Sequence, residues 1–180
     1  MKVCVFCGSS PGTNTSYAHD AKALAVLLAQ AHCGLVFGGG NIGLMGILAD
    51  GVIQNGGEVT GVIPDFLVRR ELAHSAITRL EVVGSMHERK QRMADLADAF
   101  IALPGGWGTL DELAEILTWK QLGLITKPVG LLNSHGFFDP LLSQMEKMVT
   151  EGFLQKDVLD DLLVAETPVS VLEKLGIALT

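Results

Sequence analysis

Short, continuous apolar runs alternate with helical patterns along this whole chain, and that alternation limits the fold more than any other feature. The runs fall at about residues 2–6, 34–37, 58–63, 77–83, 100–103, 129–132 and 162–165. Between them, residues 17–31, the stretch from the Gly38–Gly46 loop to about Asn55, and residues 86–97, 110–122 and 137–150 read as helices, and a terminal helix follows the last run. Strands that are apolar on both faces, each followed by a helix, imply a parallel sheet covered on both sides. The expected fold class is α/β: one doubly wound domain over residues 1–180, mostly parallel, with helices on both faces of the sheet. No linker, repeat or low-complexity break divides it, and 180 residues suffice for one such core.

That Rossmann-like arrangement decides which loops matter, because open α/β sheets bind ligands beyond the carboxyl ends of their strands. Gly8-Ser9-Ser10, the Gly38–Gly46 loop, the helix start Met86–Lys90 and the turn Pro104–Glu112 should therefore converge. The polar connection from Pro64 to Ser75, with Arg69, Arg70 and Glu71, leaves the same edge and reads either as a cover or as a solvated loop.

The most informative of these is Pro104-Gly105-Gly106-Trp107-Gly108-Thr109-Leu110-Asp111-Glu112, between the run Phe100–Leu103 and a helix expected from about Leu110. A helix start has unpaired N–H groups and the positive end of the helix dipole, which suit a phosphate. The glycines let backbone approach such a ligand. Thr109-x-x-Glu112 also fits a capping box, in which both side chains satisfy helix-terminal N–H groups. Its place at the carboxyl end of a strand favours a functional Glu112 instead.

Upstream, Arg89 and Lys90 put two cations at another helix start, with arginine offering a bidentate fork to a phosphorylated ligand. The plainer reading for Lys90 and Arg92 is a solvated face with local pairs such as Glu88–Arg92. Glu112, Glu115 and Trp119 share one helical stripe. Gly38, Gly40 and Gly43 satisfy G-x-G-x-x-G, but Asp65 follows Pro64 and leaves the strand that should present an acidic residue. No nicotinamide cofactor, and no cofactor of any kind, is expected.

Composition narrows the function further. The chain is 48% hydrophobic with 21 glycines, as a compact protein should be. Its net charge of -7, without a basic run, argues against nucleic-acid or anionic-membrane partners. No apolar stretch approaches the roughly 18 residues of a membrane helix, and no signal-peptide pattern follows Met1, so a cytoplasmic location is expected. Cys4-x-x-Cys7 lies within and at the end of a strand, so its thiols read as small buried hydrophobes. Five histidines are scattered, and His87-Glu88 lacks the second histidine of a helical zinc motif; no metal site is expected.

Pro-Gly-Gly-Trp-Gly-Thr-Leu-Asp-Glu at 104–112, with Met-His-Glu-Arg-Lys at 86–90, closely resembles the Lonely guy (LOG) family of cytokinin riboside 5′-monophosphate phosphoribohydrolases, whose members are often labelled lysine decarboxylase. Gly8-Ser9-Ser10, Gly38–Gly46, Gly61-Val62-Ile63-Pro64 and Lys127–Asn133 extend the resemblance over nearly the whole chain. Trp107 stands where the family usually has Tyr, and Asp111 where Glu is common. The resemblance implies hydrolysis of the N-glycosidic bond of adenosine-type 5′-monophosphates, including N6-modified ones, to free base and ribose 5-phosphate. It makes Arg89 and Glu112 the catalytic residues, and puts Glu71, Lys90, Gly106, Trp107, Gly108, Thr109, Leu110, Asp111 and Thr118 at ligand-binding positions. Gly8, Ser9, Gly39, Gly40 and Met45 join them as substrate-binding candidates from the converging loops. Whether Arg89 holds phosphate or assists the leaving base stays open. A homodimer is implied, as is a nucleoside 5′-monophosphate partner. Two other readings remain: a non-catalytic nucleotide-binding module of the molybdenum-cofactor carrier type, and a decarboxylase. The decarboxylase needs an electron sink such as pyridoxal phosphate on a lysine, and no lysine here stands out for that role.

Overall fold

The computed structural model describes residues 1–68 and 73–179. Within them lie strands β1 (Lys2–Phe6), β2 (Gly34–Phe37), β3 (Val59–Pro64), β4 (Arg79–Val83), β5 (Ala99–Ala102), β6 (Val129–Leu132) and β7 (Leu163–Ala165). The helices are α1 (Ser16–Gln30), α2 (Gly43–Gln54), α3 (Asp65–Val68), α4 (Met86–Leu96), α5 (Trp107–Gln121), α6 (Asp139–Thr150), α7 (Lys156–Asp160) and α8 (Pro168–Lys174). Seven strands form one sheet in the order β4-β3-β2-β1-β5-β6-β7, and every pairing is parallel. The chain winds outward from β1 to β4, then crosses back to lay β5 on the other side of β1. The order therefore reverses between β1 and β5, which is where such a sheet opens a crevice.

Alternation along β1 divides the core into two layers. Val3 and Val5 face an apolar layer with Leu24 and Leu28 of α1, Leu44 and Leu48 of α2, and Val171 and Leu172 of α8. Cys4 and Phe6 face the opposite layer, with Met93 of α4, Leu113 and Ile116 of α5, and Leu142 and Met145 of α6 packed against it. In α1 the buried Ala21, Leu24, Ala25 and Leu28 recur at the spacing of one helical face. The central β1, β2, β3 and β5 are buried on both faces, as continuous apolar runs require, whereas edge strand β4 leaves Leu80 and Val82 exposed.

Among the helices, the start of α5 and two short elements differ from the sequence-based expectation. The fifth helix starts at Trp107, because Gly106 serves as the N-cap and the glycine turn ends earlier than the apolar periodicity suggests. The short helices α3 and α7 were not expected; neither buries a residue completely, so neither leaves an apolar stripe to read.

Loop convergence has a visible cause. Gly43 has a φ of +62°, and a Cβ there would stand 2.3 Å from the Ser9 carbonyl carbon, so the start of α2 lies directly on the loop after β1. Leu44 N–H donates to Gly8 O at 3.0 Å, and Gly8 N–H donates to Pro104 O at 3.1 Å, joining three strand-end loops.

Candidate active site

At that junction lies a cavity of about 320 Å³. Its floor is Gly8 and Ser9; one wall is Gly38, Gly40 and Met45; the opposite wall is the first turn of α5. Arg89 and Glu112 reach into it from α4 and α5.

Helix α4 is fixed at its start by Ser85, whose Oγ accepts from Glu88 N–H at 3.1 Å, while Glu88 Oε2 accepts from Gly84 N–H at 2.6 Å. Glu88 is thereby committed to the helix end, and Arg92 pairs instead with Glu81 on β4 at 2.6 Å, so the expected Glu88–Arg92 pair gives way to these bonds. Arg89, one residue on, turns inward and is buried. Its Nε donates to Val62 O at 3.1 Å, its Nη2 to Gly38 O at 3.2 Å, and its Nη1 lies 3.1 Å from Glu112 Oε1. Glycine at 38 is a spatial requirement, since a Cβ there would stand 1.8 Å from Nη2.

Glu112 is 7% exposed. Burial pushes its carboxyl from the ordinary value of 4.5 up to about 7, against the opposing pull of the Arg89 guanidinium. It takes no part in helix capping. The capping-box expectation fails because the helix begins at Trp107, which moves Glu112 into the second turn and within reach of Arg89.

Gly106 caps α5 without a side-chain bond, so the first-turn N–H groups of Trp107, Gly108 and Thr109 have no helical acceptor. All three residues line the cavity. Thr109 Oγ1 is buried against Gly105 beneath that turn with no hydrogen-bond partner, although a buried hydroxyl ordinarily has one. Orphan amides at a helix N-terminus, with an orphan hydroxyl beneath them, suit an anion such as phosphate.

The structure thus brings Gly8, Ser9, Gly40, Met45, Arg89, Gly106, Trp107, Gly108, Thr109 and Glu112 to one cavity. Gly39, Lys90, Leu110, Asp111 and Thr118 lie outside its lining. Lys90 Nζ bonds Asp111 Oδ2 at 3.0 Å and Glu115 Oε2 at 3.2 Å, tying α4 to α5 behind the catalytic candidates. Burial lowers the Lys90 pKa, but these bonds outweigh it and hold the ammonium above its usual value. Leu110 packs on the apolar layer beneath α5, Thr118 Oγ1 donates back to Ala114 O, and Gly39 turns its carbonyl to His74. Glu71 lies outside the described residues.

Sequence reasoning named the loops that carry Gly38, Ile42 and Leu67 without singling these residues out, and missed Val5, Cys7 and Ile63 as lining residues. Ile63 and Val5 end strands that read as core, and only the carboxyl-edge rule marked their neighbourhood. Cys7 is buried, and desolvation, aided by the Glu112 carboxylate, pushes its thiol far above the usual range, which leaves it a neutral wall. Among the described residues no group of three or more His, Cys, Asp or Glu is arranged to hold a metal. No helix among them is long and apolar enough to cross a membrane.

A family model described as "Possible lysine decarboxylase" matches residues 45–175. The chain is 47% identical over 174 residues, covering 97% of it and 72% of the relative, to the cytokinin riboside 5′-monophosphate phosphoribohydrolase LOG of Oryza sativa subsp. japonica. It is 50% identical over 153 residues, 85% of the chain and 72% of the relative, to LOG2 of the same description from Arabidopsis thaliana. Among solved structures, the molybdenum cofactor binding protein of Rippkaea orientalis superposes with a TM-score of 0.74 at 24% identity, over 97% of this chain and 94% of that one. That likeness is one of fold.

Proposed function

Since the chain belongs to the LOG family, which the model for possible lysine decarboxylases covers, we propose that it hydrolyses the N-glycosidic bond of adenosine-type 5′-monophosphates, releasing free base and ribose 5-phosphate. The observation that carries this reading is the buried Arg89–Glu112 pair in one cavity with the unpaired first-turn amides of α5.

The 5′-phosphate accepts from the first-turn amides of α5 and, once the side chain turns outward, from Thr109 Oγ1, which anchors the ribose beside Glu112. Cleavage passes through an oxocarbenium-like state. The Glu112 carboxylate stabilises the positive charge at C1′ and takes a proton from the attacking water. As the water oxygen bonds C1′, the bond from C1′ to the base nitrogen breaks, its electron pair leaves with the base, and the proton that Glu112 took from the water passes through solvent to the base. Arg89 directs Nε and Nη2 at backbone carbonyls and Nη1 at Glu112, which supports an orienting role. A carboxyl group with a pKa near 7 is poised to exchange a proton at neutral pH.

The decarboxylase label finds no support in the cavity, whose described lining contains no lysine to carry a Schiff base. The net charge of -7 favours a small-molecule partner over nucleic acid. Exposed Leu122, Leu124 and Phe153 offer apolar surface for a second copy, so light scattering should give the mass of a homodimer.

Incubation with AMP, isopentenyladenosine monophosphate and the unphosphorylated riboside, followed by chromatography, tests the assignment. Free base from either nucleotide but not from the riboside is expected, and the ratio of the two rates sets the base preference. Nucleotides that raise the melting temperature without being cut would instead favour the carrier-type reading.

A further inference from the structure

One buried titratable side chain takes no part in the chemistry above. His74 is 7% exposed and lies just after the segment that follows α3, behind the Gly38–Gly40 turn. Its backbone N–H donates to Gly39 O at 2.9 Å, and the neighbouring Ala73 forms an isolated antiparallel bridge with Gly40. Its ring is held at both nitrogens. Ala76 N–H points at Nδ1 at 3.3 Å, so Nδ1 accepts, and the ring proton sits on Nε2, 3.1 Å from Asp50 Oδ1 on α2.

The turn is therefore clamped from two sides. On its inner side, Gly38 O receives Arg89 Nη2 at 3.2 Å. On its outer side, Gly39 O receives His74, whose ring is moored to Asp50. Gly39 itself has a φ of +75°, the left-handed region that glycine enters without strain, and glycines at 38 and 40 add no side chain to stiffen the backbone. A three-glycine turn does not hold a carbonyl still by itself. A brace from outside the turn would keep Gly38 O, and through it the guanidinium, in register with Glu112.

We propose that His74 is a positioning residue: moored to Asp50, it braces the Gly38–Gly40 turn so that Arg89 stays aligned on Glu112. Its effect on turnover rests on the phosphoribohydrolase reading, whereas its effect on Glu112 does not.

Four variants separate the brace from general packing. Asp50→Ala removes the acceptor at a half-exposed surface position, and His74→Asn keeps an acceptor for Ala76 but cannot reach Asp50. His74→Gln and Asp50→Asn each retain a bond across the pair. The full-length wild type and variants are assayed with AMP, and the Glu112 titration is followed by carbon-13 NMR, with Glu112→Gln supplying the assignment. Asp50→Ala and His74→Asn should lower kcat about tenfold, the factor matching one hydrogen bond of ordinary net strength, and leave KM within about twofold. In both, the Glu112 midpoint should rise above about 7, because a loosened Arg89 opposes the effect of burial less. His74→Gln and Asp50→Asn should stay near wild type, and the double variant His74→Asn/Asp50→Ala should be no worse than either single one. Equal losses in all four, additive losses in the double variant, or an unmoved Glu112 midpoint in folded Asp50→Ala would overturn the brace. If wild type releases no base, the phosphoribohydrolase reading fails, and the Glu112 midpoint alone decides the brace.

Discussion

Glu112→Gln should make the protein more stable at high pH and leave that advantage behind in acid. Burial raises the Glu112 carboxyl from 4.5 to about 7, so between those values the folded protein binds a proton that the unfolded chain has released. Stability therefore falls as pH rises wherever the native state holds more protons. This contribution is fully present below about pH 4.5, declines above it, and is gone once pH passes about 7. Integrated from pH 5 to pH 8, a shift of that size removes roughly 2–3 kcal/mol. Glutamine keeps the oxygen that Arg89 addresses and has no charge to desolvate. The gap in melting temperature between Glu112→Gln and wild type should thus widen by about 5–10 °C from pH 5 to pH 8, at a few degrees per kcal/mol for a domain of this size. Thermal unfolding of both proteins by circular dichroism across that range is the assay. A gap that stays constant with pH would refute the buried, proton-holding carboxyl, whatever the variant does to activity.

Thr109→Val tests the anion receptor: losing an unpartnered buried hydroxyl should leave the free protein equally or slightly more stable, while calorimetry shows ribose 5-phosphate binding about tenfold weaker. Equal affinity would remove the hydroxyl from the receptor. Gly38→Ala places a methyl where Arg89 Nη2 now lies, so it should cost about 1–3 kcal/mol in denaturant melts and at least about a hundredfold in turnover with AMP. A fully active Gly38→Ala protein would contradict the clamp.

The sheet was legible because β1, β2, β3 and β5 are buried on both faces and so appear as unbroken apolar runs. Edge strand β4, with Leu80 and Val82 exposed, kept only the later part of its expected span. The carboxyl-edge rule also located the meeting of Gly8, Gly40, Arg89 and the α5 turn before any coordinates. What sequence hid was partnership. Thr109-x-x-Glu112 has capping-box spacing, yet Gly106 takes the cap, Thr109 is left without a bond, and Glu112 pairs with Arg89 from another helix. Arg89 is otherwise held by the carbonyls of Val62 and Gly38, and a backbone carbonyl leaves no trace in residue identity. The same holds for His74, whose partners are Gly39 O, Ala76 N–H and an aspartate on α2. The ion pairs of Lys90 were hidden in the same way, because its two acidic partners lie on another helix.

Glu112 performs the bond cleavage in this mechanism while the first turn of α5 holds the phosphate, so AMP affinity and base release measured side by side for wild type and Glu112→Gln separate the two roles. The variant should bind AMP within about threefold of wild type and lose at least about a hundredfold in base release, as expected when a positioned acid–base group is removed. A Glu112→Gln protein that releases base at the wild-type rate would contradict that mechanism.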